Sequence, residues 1–212
     1  MKVVVTRPRG QEGDLVRGLE ELDHEVVHCP LIELEPLGDE PIDVAGYDWV
    51  VVTSANGARE LLRRMTGSPA RFAAIGRATA DALGGADLVP RESTQEGLLA
   101  ELPRPAGRVL VAAAEGARRL LVDELDAEFV PLYRTRELTP ARTPEGDLVV
   151  LASASAARAF GRLAVDIPAV SIGPQTTAAA RAAGVEVVRE AATHDVPGLL
   201  AAIGSAACSS PS

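Results

Sequence analysis

The chain has 212 residues, 47% of them apolar and 3% aromatic, with a formal charge of −9. This length fits one large or two small domains with a Val/Leu/Ile/Ala core, and it excludes a wholly disordered chain. The acidic balance argues against a general nucleic-acid or anionic-membrane binder, since both partners need a net basic face.

Taken in order, "KVVVT" (2–6) reads as a strand, "GDLVRGLEEL" (13–22) as an amphipathic helix and "EVVHCPL" (25–31) as a second strand. The continuous apolar strand "DWVVVTS" (48–54) precedes a helix over 55–65, and "RFAAIG" (71–76) precedes one over 78–85. A short strand "ADLVP" (86–90), a helix over 94–102, the strand "RVLVAAA" (108–114), a helix over 115–125 and the strand "EFVPLY" (128–133) follow. The rest alternates in the same way: strand 147–153, helix 154–163, strand 169–173, helix 175–183, strand 185–190 and helix 196–203. Strands that are apolar throughout and alternate with helices predict an α/β fold with parallel sheets covered on both faces. The tail "GSAACSSPS" (204–212) is small and polar and is expected to be disordered. Cys29 and Cys208 form no CxxC pair and His24, His28 and His194 are scattered, so free thiols and no metal site are expected. The chain opens on a strand and no apolar run reaches about 18 residues, which predicts a cytoplasmic protein without a membrane span.

The chain repeats itself. "DWVVVTSANGARELL" resembles "DLVVLASASAARAFG", "STQEGLLAEL" resembles "ATHDVPGLLAAI", and "AAIGRATADAL" resembles "VSIGPQTTAAA". Gly76 and Gly173, Ser54 and Ser153, and Pro30 and Pro131 lie 97, 99 and 101 residues apart. Two copies of one α/β unit, and so two similar domains, are predicted. After each proline comes an extended connector, "LIELEPL" (31–37) or "LYRTREL" (132–138). Glu33 and Glu35 on one and Arg134 and Arg136 on the other suit a two-stranded antiparallel ribbon; two solvated linkers are the alternative. With a ribbon, one domain is 1–32 plus 139–204 and the other is 37–132. Residues 33–36 and 133–138 then form the connecting ladder, and 205–212 the tail.

Four turns carry the chemistry. Gly76 and Gly173 each end a strand where a helix opens, a place where glycine eases a tight turn, with Thr79 and Thr176 in the first helical turn. Ser54 and Ser153 end strands in the same way. Open N–H groups at helix starts bind carboxylates and phosphates, and ligands of open parallel sheets lie beyond the carboxyl ends of the strands. Each hydroxyl is either a helix cap or part of an anion-binding rim. Arg7, Arg77 and Arg158 sit at or near these turns and supply local positive charge. No glycine-rich phosphate loop, Ser-His-Asp order or metal triad stands out. An enzyme of this kind works mainly by holding a reactive substrate in one shape.

Together "VTRP", "VVVTSANGA", "AAIGRATADAL", "FVPLYRT", "LVVLASASAA" and "VSIGPQTTAAA" resemble uroporphyrinogen-III synthases across residues 1–204. The resemblance implies two α/β domains joined by a two-stranded β ladder, and no cofactor. It implies a small-molecule substrate, hydroxymethylbilane, a linear tetrapyrrole with eight carboxylates. This is cyclised with inversion of the last pyrrole, through loss of the terminal hydroxyl as water and a spiro intermediate, to uroporphyrinogen III. Two domains would close on the bilane. The family's conserved tyrosine matches Tyr133, a candidate to assist departure of the hydroxyl. Its turn residues match Thr79, Thr176, Ser54 and Ser153, with Thr177 standing where alanine usually follows. A monomer is expected, and a transient contact with the preceding deaminase is left open. The competing readings are a non-catalytic bilobed sensor of a small anion and a sugar-nucleotide transferase with two lobes.

Overall fold

The computed structural model describes residues 1–207. The chain divides into two compact units, Met1–Leu34 with Thr135–Ser212, and Glu35–Arg134. Strand β1 (Lys2–Val5), helix α1 (Gly13–Glu21) and strand β2 (Glu25–His28) come first, followed by β3 (Ile32–Pro36). Next come β4 (Ile42–Asp43), β5 (Trp49–Val52), α2 (Ala55–Arg64), β6 (Met65–Thr66), β7 (Phe72–Ala74), α3 (Arg77–Leu83) and α4 (Gln95–Glu101). They are followed by β8 (Val109–Ala114), α5 (Leu120–Leu125) and the long β9 (Glu128–Glu137). The first unit is completed by β10 (Leu148–Leu151), α6 (Ala154–Gly161), β11 (Ala169–Ser171), α7 (Pro174–Ala182), β12 (Val187–Glu190) and α8 (Val196–Ala207).

The first unit is built on one parallel sheet in the order β12-β11-β10-β1-β2. Its central strands β1, β10 and β11 are apolar on both faces because both faces are covered. Val3, Val5 and Val150 pack with Leu15 and Leu19 of α1 and Leu199 and Ile203 of α8. Val4, Val149 and Leu151 pack on the other side with Ala157 and Phe160 of α6 and Ala180 of α7. The connection after β1 leads to one side and that after β10 to the other. The ends of β1 and β10 therefore mark the switch point where such sheets bind ligands.

The second sheet has the order β3-β9-β8-β5-β7, with β9, β8, β5 and β7 parallel. Trp49, Val51, Val109 and Val111 face Leu98 of α4 and Leu121 of α5. Val50 and Val52 alternate to the opposite face and are fully buried, as are Ala58 and Leu61 of α2. Its switch point lies between β5 and β8. A further pair, β4 and β6, makes a parallel two-stranded sheet that the sequence pattern does not announce.

Three expectations are corrected. Residues 86–90 contribute one bridge, Leu88 to Ala73, rather than a strand. There the Asp87 carboxylate accepts the Phe72 N–H at 2.8 Å, in the place of a ladder carbonyl. The helix expected over 115–125 starts at Leu120. The Glu115 N–H goes to Tyr133 O (2.8 Å), which carries the β8–β9 pairing past Ala114, and the Ala117 N–H closes a turn on Ala114 O (3.0 Å) before the helix begins. Helix α8 continues to Ala207, so residues 204–207, expected in a disordered tail, are helical. The remainder of that tail, 208–212, lies outside the described residues.

Candidate functional site

In the second unit β5 ends at Val52 and α2 opens three residues later. Ser54 is the N-cap, in extended conformation (φ −165°, ψ 153°), and its Oγ accepts the Gly57 N–H at 3.0 Å. The same Oγ lies 3.0 Å from the Tyr133 hydroxyl. Tyr133 reaches this place through a β-bulge. Ala113 pairs with Pro131 but Ala114 pairs with Tyr133, leaving Leu132 as an extra residue in β9. A bulge bends a strand and re-aims its side chains. Here Leu132 and Tyr133, consecutive in sequence, both meet the first turn of α2: Leu132 Cδ1 lies 3.6 Å from where a Cβ on Gly57 would stand. Tyr133 is 8% exposed, and burial pushes its phenol above the usual value while the Ser54 hydroxyl pulls the other way. The phenol is therefore neutral, and a hydrogen-bond donor, at neutral pH. A hydroxyl offers one hydrogen and two lone pairs. With one lone pair of Ser54 holding Gly57, the Ser54 hydrogen can be given to Tyr133 O, which leaves the Tyr133 hydrogen for another acceptor.

In the first unit Ser153 repeats the cap. Its backbone is φ −162°, ψ 155°, and its Oγ accepts the Ala156 N–H at 3.1 Å. The sequence repeat, read from Pro30 and Pro131, pairs Tyr133 with Ile32, a buried apolar residue without a polar group to offer. Just past the end of β1, Thr6 is wholly buried and donates to Val150 O (2.9 Å). His28 Nε2 donates to Arg7 O (2.9 Å). Arg158 is exposed and its Nη2 donates to Ser155 Oγ at 3.3 Å.

Gly76 and Gly173 are the N-caps of α3 and α7. Their φ values, −174° and 168°, are extended backbone open to any residue, so the tight-turn reason expected from sequence does not apply. Close approach does. A Cβ on Gly76 would stand 2.7 Å from Ser93 Oγ, and one on Gly173 would stand 2.7 Å from the His194 ring. Ser93 and His194 occupy matched places one residue before the helix caps Thr94 and Asp195, whose side chains accept from Gly97 N–H (3.0 Å) and Gly198 N–H (2.8 Å). Sequence reasoning missed both residues as rim members; the signal was the likeness of "STQEG" to "THDVPG", which marks where each repeat returns to its own glycine turn. Thr79 and Thr176 are each 4% exposed, and their N–H groups bond back to Gly76 O (3.1 Å) and Gly173 O (3.0 Å). Thr177 is tied inward, 2.6 Å from Ser171 Oγ and donating to the Glu190 carboxylate. The two turns differ in donors: Pro174 at the first position of α7 has no N–H, whereas Arg77 in α3 has one. The Arg77 side chain is exposed and pairs along its own helix with Asp81 at 3.2 Å. The structure thus joins Ser54 to Tyr133, and leaves Arg77 and Arg158 on their own helix surfaces. Among the described residues no group of three or more His, Cys, Asp or Glu side chains could hold a metal ion.

The model of the family described as uroporphyrinogen-III synthase HemD matches residues 13–201. The chain belongs to the uroporphyrinogen-III synthase family. It is 27% identical to a uroporphyrinogen-III synthase of Synechococcus elongatus, over 95% of this chain and 93% of that protein. It is 29% identical to a putative uroporphyrinogen-III synthase of Archaeoglobus fulgidus, over 83% of this chain and 86% of that one. A crystal structure of a mutant uroporphyrinogen III synthase from the extremely thermophilic bacterium Thermus thermophilus superposes with a TM-score of 0.68, covering 99% of this chain and 100% of that one at 18% identity. The likeness in fold is to an α/β structure with parallel sheets. A uroporphyrinogen-III synthase is an enzyme of tetrapyrrole biosynthesis, and membership of this family decides against the sensor and sugar-transferase readings. Among the described residues no helix is long and apolar enough to cross a membrane.

Proposed function

We propose that this chain cyclises hydroxymethylbilane to uroporphyrinogen III with inversion of the last pyrrole, and that Tyr133 assists the step in which the terminal hydroxyl leaves as water. The observation that carries Tyr133 is the 3.0 Å contact between its hydroxyl and Ser54 Oγ, made while Ser54 already accepts from Gly57. Tyr133, kept neutral by burial, donates a hydrogen bond to the departing hydroxyl as positive charge develops on the bilane. Closure to the non-inverted ring needs no enzyme, so the protein must fix the flexible chain so that the substituted carbon of the last pyrrole meets the electrophile. Turn amides and hydroxyls at Ser54, Gly76, Thr79, Ser153, Gly173 and Thr176 hold the substrate's carboxylates, with Arg7, Arg77 and Arg158 adding positive charge. The test supplies freshly made hydroxymethylbilane, oxidises the products and measures type III against type I porphyrin. Type I alone would refute the reading.

The finer architecture belongs to the same proposal: two copies of one unit, domains over 1–32 plus 139–204 and 37–132, and an antiparallel ladder of the two connectors. Matching sheet orders support duplication: β12-β11-β10-β1-β2 corresponds, strand for strand, to the Leu88 bridge, β7, β5, β8 and β9. The ladder is supported by Leu138 N–H to Leu31 O (2.9 Å) and Leu37 N–H to Leu132 O (2.9 Å), since residue numbers fall on one connector as they rise on the other. Arg136 meets Glu33 at 3.2 Å as the charge pattern suggests, whereas Arg134 turns to Glu115 at 3.2 Å. We further propose a cytoplasmic monomer that meets the preceding deaminase transiently. Among the described residues the large exposed apolar side chains are Met1, Leu22, Leu62, Val89 and Val188, scattered along the sequence, in keeping with a monomer. A bilane that closes by itself gains from prompt delivery.

A further inference from the structure

The first unit carries a groove of about 920 Å³, a volume typical of small-molecule sites. One wall is the end of β2, Val27 to Pro30, and the other is the strap from Leu138 to Glu145, with Lys2 and Arg9 completing the lining. Among the described residues the strap's hydrogen bonds lie at its two ends. Leu138 N–H donates to Leu31 O (2.9 Å); at the far end Asp147 N–H donates to Lys2 O (2.8 Å) and Lys2 N–H to Asp147 Oδ2 (2.7 Å). Among the described residues, 139–146 make no hydrogen bond between these ties. β2 is the edge strand of its sheet. Glu25 and Cys29 direct their N–H groups to Met1 O and Val5 O on the β1 side (3.0 and 2.9 Å), so by alternation Val26 and His28 direct theirs to the open edge.

The groove is therefore rich in donors. Arg9 and Arg142 both line it, and neither side chain has an ion pair, hydrogen bond or ring contact among the described residues. Arg63, Arg108 and Arg118, by contrast, are paired with carboxylates. Glu145 supplies a carboxylate to the lining, and Val27, Leu138, Pro140 and Pro144 supply apolar surface.

We propose that this groove binds a small organic anion, its carboxylates held by Arg9 and Arg142 and its apolar body seated between β2 and the strap. The proposal does not depend on the cyclisation reading, because every lining residue belongs to the first unit and Tyr133 to the second. The full chain is titrated calorimetrically with two probes, a pyrrole bearing one acetate and one propionate arm and inorganic phosphate, and hydrogen exchange is followed over 139–146. The expected result is binding of the pyrrole with new protection of the strap amides. The Arg9→Ala/Arg142→Ala variant should bind it at least about tenfold more weakly, as expected for losing charged hydrogen bonds, and keep the isomer ratio of its bilane product. No binding and no protection, or unchanged affinity in the variant, would overturn the site. Phosphate binding as tightly as the pyrrole would overturn the role given to the apolar walls.

Discussion

The turn at Ser54 and the turn at Ser153 have nearly the same backbone angles and the same cap, a serine Oγ accepting the N–H three residues on at 3.0 and 3.1 Å. They differ in what stands over the serine. At Ser54 it is a phenol carried there by one extra residue in β9; the repeat places Ile32 at the matching position of the first unit. The shared part is what any helix start in a parallel sheet needs. The added part is a polar group held in a buried place at the carboxyl end of the strands, where folding alone gives no reason for it.

That contrast can be broken at several points. The largest effect is expected from Tyr133→Phe, which should lower turnover about a hundredfold, within the range for a positioned proton donor, while the thermal midpoint stays near wild type. An unchanged rate would remove the difference between the two turns. Next come Gly97→Ala and Gly198→Ala. A Cβ would stand 2.3 Å from Glu92 O in one and 2.2 Å from Thr193 O in the other. Each should cost about 2 kcal/mol of stability in urea unfolding, as overpacking does; a large asymmetry would show that the two units do not share this packing. Ser54→Ala and Ser153→Ala should each cost about 1 kcal/mol as lost caps, and Ser54→Ala, which also removes the partner of Tyr133, should slow turnover more than Ser153→Ala. The smallest effect concerns pH. Both ring nitrogens of His24 are buried without partners, and burial, aided by the amino terminus, holds its pKa below the usual value. The unfolded chain then takes up a proton near pH 6.5 that the folded chain refuses. Stability should fall as pH drops through that value, and His24→Phe should flatten this part of the pH–stability curve.

Much of the fold could be read from the sequence because parallel strands covered on both faces leave unbroken apolar runs, as in "WVVV" and "LVVL". The serine caps could be read because a polar residue between such a run and a helix has few other uses. Other features arise from contacts distant in sequence. Leu132 as a bulge depends on how β9 registers against β8. Gly76 and Gly173 are required by Ser93 and His194, 17 and 21 residues further on. β4 and β6 have two residues each, too few to show a period. At 86–90 the strand pattern yielded to the Asp87 carboxylate.

The central claim is that the Ser54–Tyr133 pair serves a cyclisation with ring inversion. The most direct measurement is the type III to type I porphyrin ratio obtained from fresh hydroxymethylbilane, with wild type and Tyr133→Phe run side by side. The account predicts type III in large excess with wild type and a rising share of type I, from spontaneous closure, as the variant falls behind. Type I alone from wild type, or the same ratio and rate from both proteins, would contradict it.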